Sequence, residues 1–170
     1  MPKISDPLIV FAVAGTGATS ALIDLYTRRV PNLLTFGVTV LGVTCAAVGI
    51  TGLSIVSALG GFALGLALML PGHLIGATGA GDVKLFAALG TLLGPSRTGS
   101  AFVYTALAGG VLAVIVARRR RRLRATMERT ATLVSSGGRN VAEIESTSQN
   151  NRFAYAPAIA LGAFAAALGL

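Results

Sequence analysis

Apolar stretches divided by short polar breaks run the length of the chain, and their spacing predicts an all-α protein of six helices. These fall at about 7–23, 33–50, 54–70, 81–96, 99–117 and 153–170. The polar turn Asp24–Asn32 ends the first, Thr51-Gly52 turns the second into the third, and Pro71-Gly72 punctuates the end of the third. Val30–Gly81 holds no Asp, Glu, Lys or Arg, which is too long for one membrane crossing and suits a hairpin of two. The fourth stretch is the shortest: only Leu85–Ser96 is uncharged, a length common in re-entrant or buried segments. Extended back to Gly81, with Lys84 snorkelling to the surface, it is long enough to cross. A re-entrant loop there would also set Arg118–Arg124 on the opposite side from Arg28 and Arg29.

Composition turns these helices into membrane helices. Hydrophobic residues make up 54% of the chain and charged residues 12%, with a mean hydropathy of +0.77. A soluble domain averages about 25% charged residues, so a multi-pass protein is expected. The whole chain, 1–170, reads as a single membrane domain. Met1–Ile23 is not a signal peptide, because Lys3 is offset by Asp6 and Arg28 and Arg29 lie on the far flank. With six crossings every basic residue except Lys3 and Arg97 lies inside, and both termini lie outside.

The net charge of +8 does not indicate a nucleic-acid partner. Arg118–Arg122 and Arg124 follow an uncharged run, as where a helix leaves the membrane on the cytoplasmic side, and no aromatic residues are interleaved to stack bases. The lipid bilayer, with anionic lipids at Arg118–Arg124, is the expected partner. The segment 118–152 is cytoplasmic, basic at first and then a flexible loop over Ser135–Asn151. Recurrent small residues such as Gly60-Gly61, Gly65 and Gly109-Gly110 suit close helix packing, and the sequence leaves room for a homo-oligomer. Cys45, the lone cysteine, supports neither a disulfide framework nor a Cys-x-x-Cys site.

The chemistry rests on aspartate. The chain has three, and two of them, Asp24 and Asp82, stand at the ends of apolar stretches on the same side of the predicted hairpin. Carboxylates at a membrane boundary are costly and point to function. A pair that shares one proton supplies a base and an acid for hydrolysis, with no metal and no cofactor. The bland reading is an aspartate that ends or caps a helix, and Asp82 has the position of an N-cap to the fourth. Gly79 and Gly81 either let a substrate backbone approach Asp82 or simply break the loop. Lys84, two positions past Asp82, points away from it and reads as an interfacial anchor rather than a partner that tunes it. Asn32 starts the second helix or hydrogen-bonds near Asp24. His73, the single histidine, has no second His or Cys at ligand spacing, so it reads as structural and no metal site is expected.

These residues also resemble a known family. Asp24-Leu-Tyr-Thr-Arg-Arg-Val-Pro-Asn32 is similar to the first motif of the type IV prepilin peptidases, and Gly76–Gly90 to their second, centred on Gly-x-Gly-Asp. Tyr155–Gly162 resembles their closing helix. The resemblance runs from the first helix to the last, with Arg118–Arg152 and the extreme N-terminus lacking a counterpart. It implies that Asp24 and Asp82 are the catalytic aspartates near the cytoplasmic face of the plasma membrane. It further implies an aspartic endopeptidase that removes a short basic leader from prepilin-like proteins, next to the leader's terminal Gly. Larger members also N-methylate the product and carry a further domain with paired cysteines. This chain has one Cys and no such domain, so methylation is not expected. The compact form resembles the peptidase-only enzymes of Flp (tight adherence) pilus systems and of archaeal preflagellin processing, and the Ala-Gly-Asp-Val-Lys-Leu wording favours the Flp type. The competing reading is a transporter-like or assembly protein that uses boundary carboxylates for ion or proton handling.

Overall fold

A computed structural model describes residues 7–27, 30–75, 78–119 and 155–170. It is all-helical over these residues: α1 (Pro7–Thr27), α2 (Asn32–Ala47), α3 (Ile55–Leu74), α4 (Ala80–Arg119) and α5 (Ala156–Leu168). The expected segment 118–152 lies outside the described residues beyond the end of α4, as do residues 153 and 154 of the expected last helix.

The main departure from expectation is α4, where two predicted helices are one element folded back on itself. Gly94 has φ 71° and ψ 171°, a conformation open essentially to glycine alone. Pro95 follows it and starts the second arm with its φ already set for a helix. Phe86 and Phe102 would stand ~24 Å apart along a straight helix. Their rings instead meet edge to face, with centroids 6.2 Å apart, so the two arms run back alongside each other.

The first arm is the centre of the protein. Leu85, Phe86, Ala87, Ala88, Leu89, Leu92 and Leu93 are all buried, with α3 and α2 packed closely on this arm. A helix that is apolar on every side is one surrounded by other helices, which explains the short uncharged run here. On the α3 side the two backbones touch. A Cβ on Gly61 would collide with the Gly90 carbonyl oxygen, and one on Gly90 with that of Gly61.

The outer surface is apolar. Phe11 is 77% exposed, Leu33 82% and Val56 80%. Such a surface suits lipid rather than water. Pro7–Thr27, Ile55–Leu74 and the Ala80–Val116 part of α4 are long and apolar enough to cross a bilayer, and the chain is a membrane protein. Among the described residues, five helices stand against the six expected spans, and three of them meet that length. The remaining two, α2 with 16 residues and α5 with 13, reach only ~24 Å and ~20 Å against a hydrocarbon core of about 30 Å.

Two predicted ends also move. α1 continues to Thr27, so Asp24 lies inside the helix rather than after it. α3 continues through Pro71-Gly72 to Leu74. Ser54 caps its start by accepting the Ser57 N–H at 3.1 Å.

Candidate active site

Asp82 occupies the first turn of α4, and the local geometry fixes its role in that turn. The Gly79 carbonyl accepts the N–H groups of Asp82 and Val83 at 3.1 and 3.2 Å, so Gly79 is the N-cap. Asp82 stands at the third helical position and reaches back, its Oδ2 accepting the Gly79 N–H at 3.2 Å. This is the returning half of a capping box, in place of the N-cap position expected for Asp82 itself. The glycines follow from the same geometry. A Cβ on Gly79 would come within 3.0 Å of the Asp82 Oδ2, and one on Gly81 within 3.3 Å of the Val30 Cβ. Gly79 therefore makes room for the carboxylate, and Gly81 for the link between α1 and α2.

Asp24 belongs to a buried stripe of α1 formed with Ile9, Val13, Gly17 and Ser20. Intervals of three and four place these residues on one helix face, against α5. Asp24 is 6% exposed and Asp82 9%, so both carboxylates are almost wholly enclosed. The Asp24 Oδ2 accepts the N–H of Ala156 at 3.3 Å. That amide is the first of α5 and has no acceptor within its own helix, and a carboxylate at a helix N-terminus is electrostatically favoured.

The adjacent residue packs on the second arm of α4. Tyr155 is the N-cap of α5, and burial, with the negative charge of Asp82 as a lesser cause, pushes its phenol up. Its ring fills the space a side chain at Gly109 would need, and its hydroxyl points to the Thr105 carbonyl at 3.5 Å. The N-terminus of α5 is thus the element that the Asp24 carboxylate addresses, while the Asp82 carboxylate is held by its own turn. Sequence reasoning quoted Tyr155 and Ala156 without placing them in the site. A backbone amide leaves no signature in residue type, and only the tyrosine ahead of an apolar run offered a cue.

Asn32 and Lys84 come together at the exposed edge, Lys84 Nζ donating to Asn32 Oδ1 at 3.2 Å. This joins the start of α2 to the first turn of α4. Asn32 is the first residue of α2 and its side-chain oxygen is directed to Lys84 rather than to the surroundings of Asp24. His73 lies in the last turn of α3, with Nδ1 3.0 Å from the Thr78 carbonyl. Among the described residues no three His, Cys, Asp or Glu side chains gather as a metal site would require.

No curated protein and no solved structure gave a match to the chain. A family model did: that of the type IV leader peptidase family matches residues 10–114, a range containing Asp24, Asn32 and the whole Gly79–Lys84 turn but not α5. On that match, across α1 to α4 and both aspartates, the chain belongs to the type IV leader peptidase family.

Proposed function

We propose that this protein is an aspartic endopeptidase that removes the short basic leader from prepilin-like substrates of the Flp type, with Asp24 and Asp82 as its catalytic pair. The observation that supports this most is the burial of two aspartates from helices far apart in sequence, each with one carboxylate oxygen held by a backbone amide. A pair of carboxylates brought together in such surroundings can share a proton.

In this reading one carboxylate, ionised, takes a proton from a water whose oxygen attacks the scissile carbonyl carbon. The other, protonated, donates to the carbonyl oxygen as the tetrahedral centre forms. Collapse breaks the C–N bond, and a proton passes to the departing amine. The Ala156 and Gly79 amides hold one oxygen of each carboxylate and so limit their rotation. Asp24 lies three residues inside the end of α1, ~4.5 Å along the axis, which suits a reaction close to the membrane surface.

The face concerned is the cytoplasmic one, to which Arg28, Arg29 and the Arg118–Arg124 run assign it. Both termini then lie outside. The Arg118–Arg124 run meets anionic lipid there. The product keeps an unmethylated N-terminus.

The test is cleavage in liposomes of a small Flp-like prepilin with a basic leader ending in Gly, with product masses read by mass spectrometry. A single cut after that Gly, an unmethylated terminus and indifference to a metal chelator are expected. A folded enzyme that leaves several such substrates intact would contradict the proposal and favour ion or proton handling instead.

A further inference from the structure

The α3–α4 connection has to deliver Asp82 in a fixed orientation, and the hydrogen bonds around Thr78 show how it does so. The Thr78 N–H donates to the Gly72 carbonyl at 3.2 Å, and the Thr78 carbonyl meets His73 Nδ1 at 3.0 Å. A carbonyl can only accept, so Nδ1 carries the proton in this contact. Both backbone polar groups of Thr78 are therefore held by the last turn of α3.

The carbonyl of Thr78 and the N–H of Gly79 belong to one peptide unit, which is planar and rigid. At its other end this unit donates to the Asp82 Oδ2 at 3.2 Å. A continuous relay results: His73 Nδ1–H to the Thr78 carbonyl, across the peptide plane, and Gly79 N–H to the carboxylate. Rotation of that plane would break both bonds together. Hydrogen bonds in series also polarise one another, so the donor to Asp82 is strengthened by the imidazole behind it.

We propose that His73 is a positioning residue for Asp82, acting through the 78–79 peptide to set the orientation of the carboxylate. This rests on the reading of Asp82 as a catalytic aspartate. His73 reaches Asp82 only through that peptide. Its effect is on turnover, because holding Oδ2 limits the rotation of the carboxylate on whose orientation the chemistry depends. A displacement of ~1 Å in such a group is enough for a loss of about 100-fold.

Three substitutions separate the hydrogen bond from mere packing. In His73→Asn the amide nitrogen falls near the place of Nδ1 and can still donate to Thr78. In His73→Gln it falls near that of Nε2, and His73→Leu has no donor. Cleavage of the Gly-terminated prepilin is measured as kcat and KM in liposomes, beside wild type and Asp82→Asn, with each variant checked for a monodisperse elution profile. Expected is a kcat loss of about 10- to 100-fold for Gln and Leu with KM within about threefold, while Asn recovers most of the turnover. Should the leucine variant not fold, the Asn and Gln pair alone decides. Wild-type turnover in His73→Gln, or an Asn variant as slow as the Gln variant, would overturn the positioning role while leaving the peptidase reading intact. A wild-type enzyme that does not cleave, or an Asp82→Asn variant that does, would remove the peptidase reading and this inference with it.

Discussion

Replacing Gly61 by alanine tests the packing that holds the centre of the molecule. The new Cβ would overlap the Gly90 carbonyl oxygen and lie 2.9 Å from the Gly90 carbonyl carbon and 3.0 Å from that of Gly94. All three are backbone atoms of the first arm of α4, so no side chain can swing aside and the two helices must part. Gly37 provides the control, being an interior helical glycine with nothing within 4 Å of its Cβ position. Alanine stabilises a helix interior by about 1 kcal/mol over glycine, a gain common to both sites. Overpacking costs about 1–3 kcal/mol, and contact with backbone on one rigid face argues for the upper part of that range. Gly37→Ala should therefore be neutral or slightly stabilised, and Gly61→Ala should fall about 2–3 kcal/mol below it. At about 2–4 °C per kcal/mol for a chain of this size, the two midpoints separate by roughly 4–12 °C. Thermal scans in detergent, followed by the loss of the monodisperse elution peak, would measure this. Equal midpoints for the two variants would refute the close approach of α3 to α4.

Removing the cap of α3 by Ser54→Ala should lower stability by about 0.5–2 kcal/mol, seen as a drop in midpoint in the same scans, with cleavage at moderate temperature little changed. Lys84→Ala breaks an exposed bond to Asn32, so stability should shift by no more than about 0.5 kcal/mol and turnover should stay within about threefold. A dead but folded Lys84→Ala enzyme would instead give that lysine a part in the chemistry.

The helical class, the membrane setting and the family were legible because they depend on residue type. A long uncharged run from Val30 to Gly81 and a Gly-x-Gly-Asp turn are properties of the string itself. What escaped depends on geometry between distant segments. The sequence reading carries the fourth helix through Gly94-Pro95 to about 96, whereas the chain bends at Gly94, and only the 6.2 Å contact of Phe86 with Phe102 reveals the return of one arm along the other. The polarity of Asp24 predicts an end to α1 at Ile23, whereas its carboxylate is satisfied by an amide of α5 and the helix runs on to Thr27. Gly79 and Gly81 were open between two readings, and the distances from their Cβ positions to Asp82 and Val30 give each a packing reason. The pairing of Asn32 with Lys84 was hidden for the same cause, since neither residue signals the other across the sequence.

The central claim is that Asp24 and Asp82 act as one unit in peptide hydrolysis. Its most direct test is the single-turnover rate of prepilin cleavage in liposomes for wild type, Asp24→Asn, Asp82→Asn and the double variant, each shown to insert and elute as wild type does. Residues that work as a unit are non-additive, so each single variant should lose nearly all activity and the double should be no worse. Near-normal cleavage by either single variant, with the protein folded, would contradict the account.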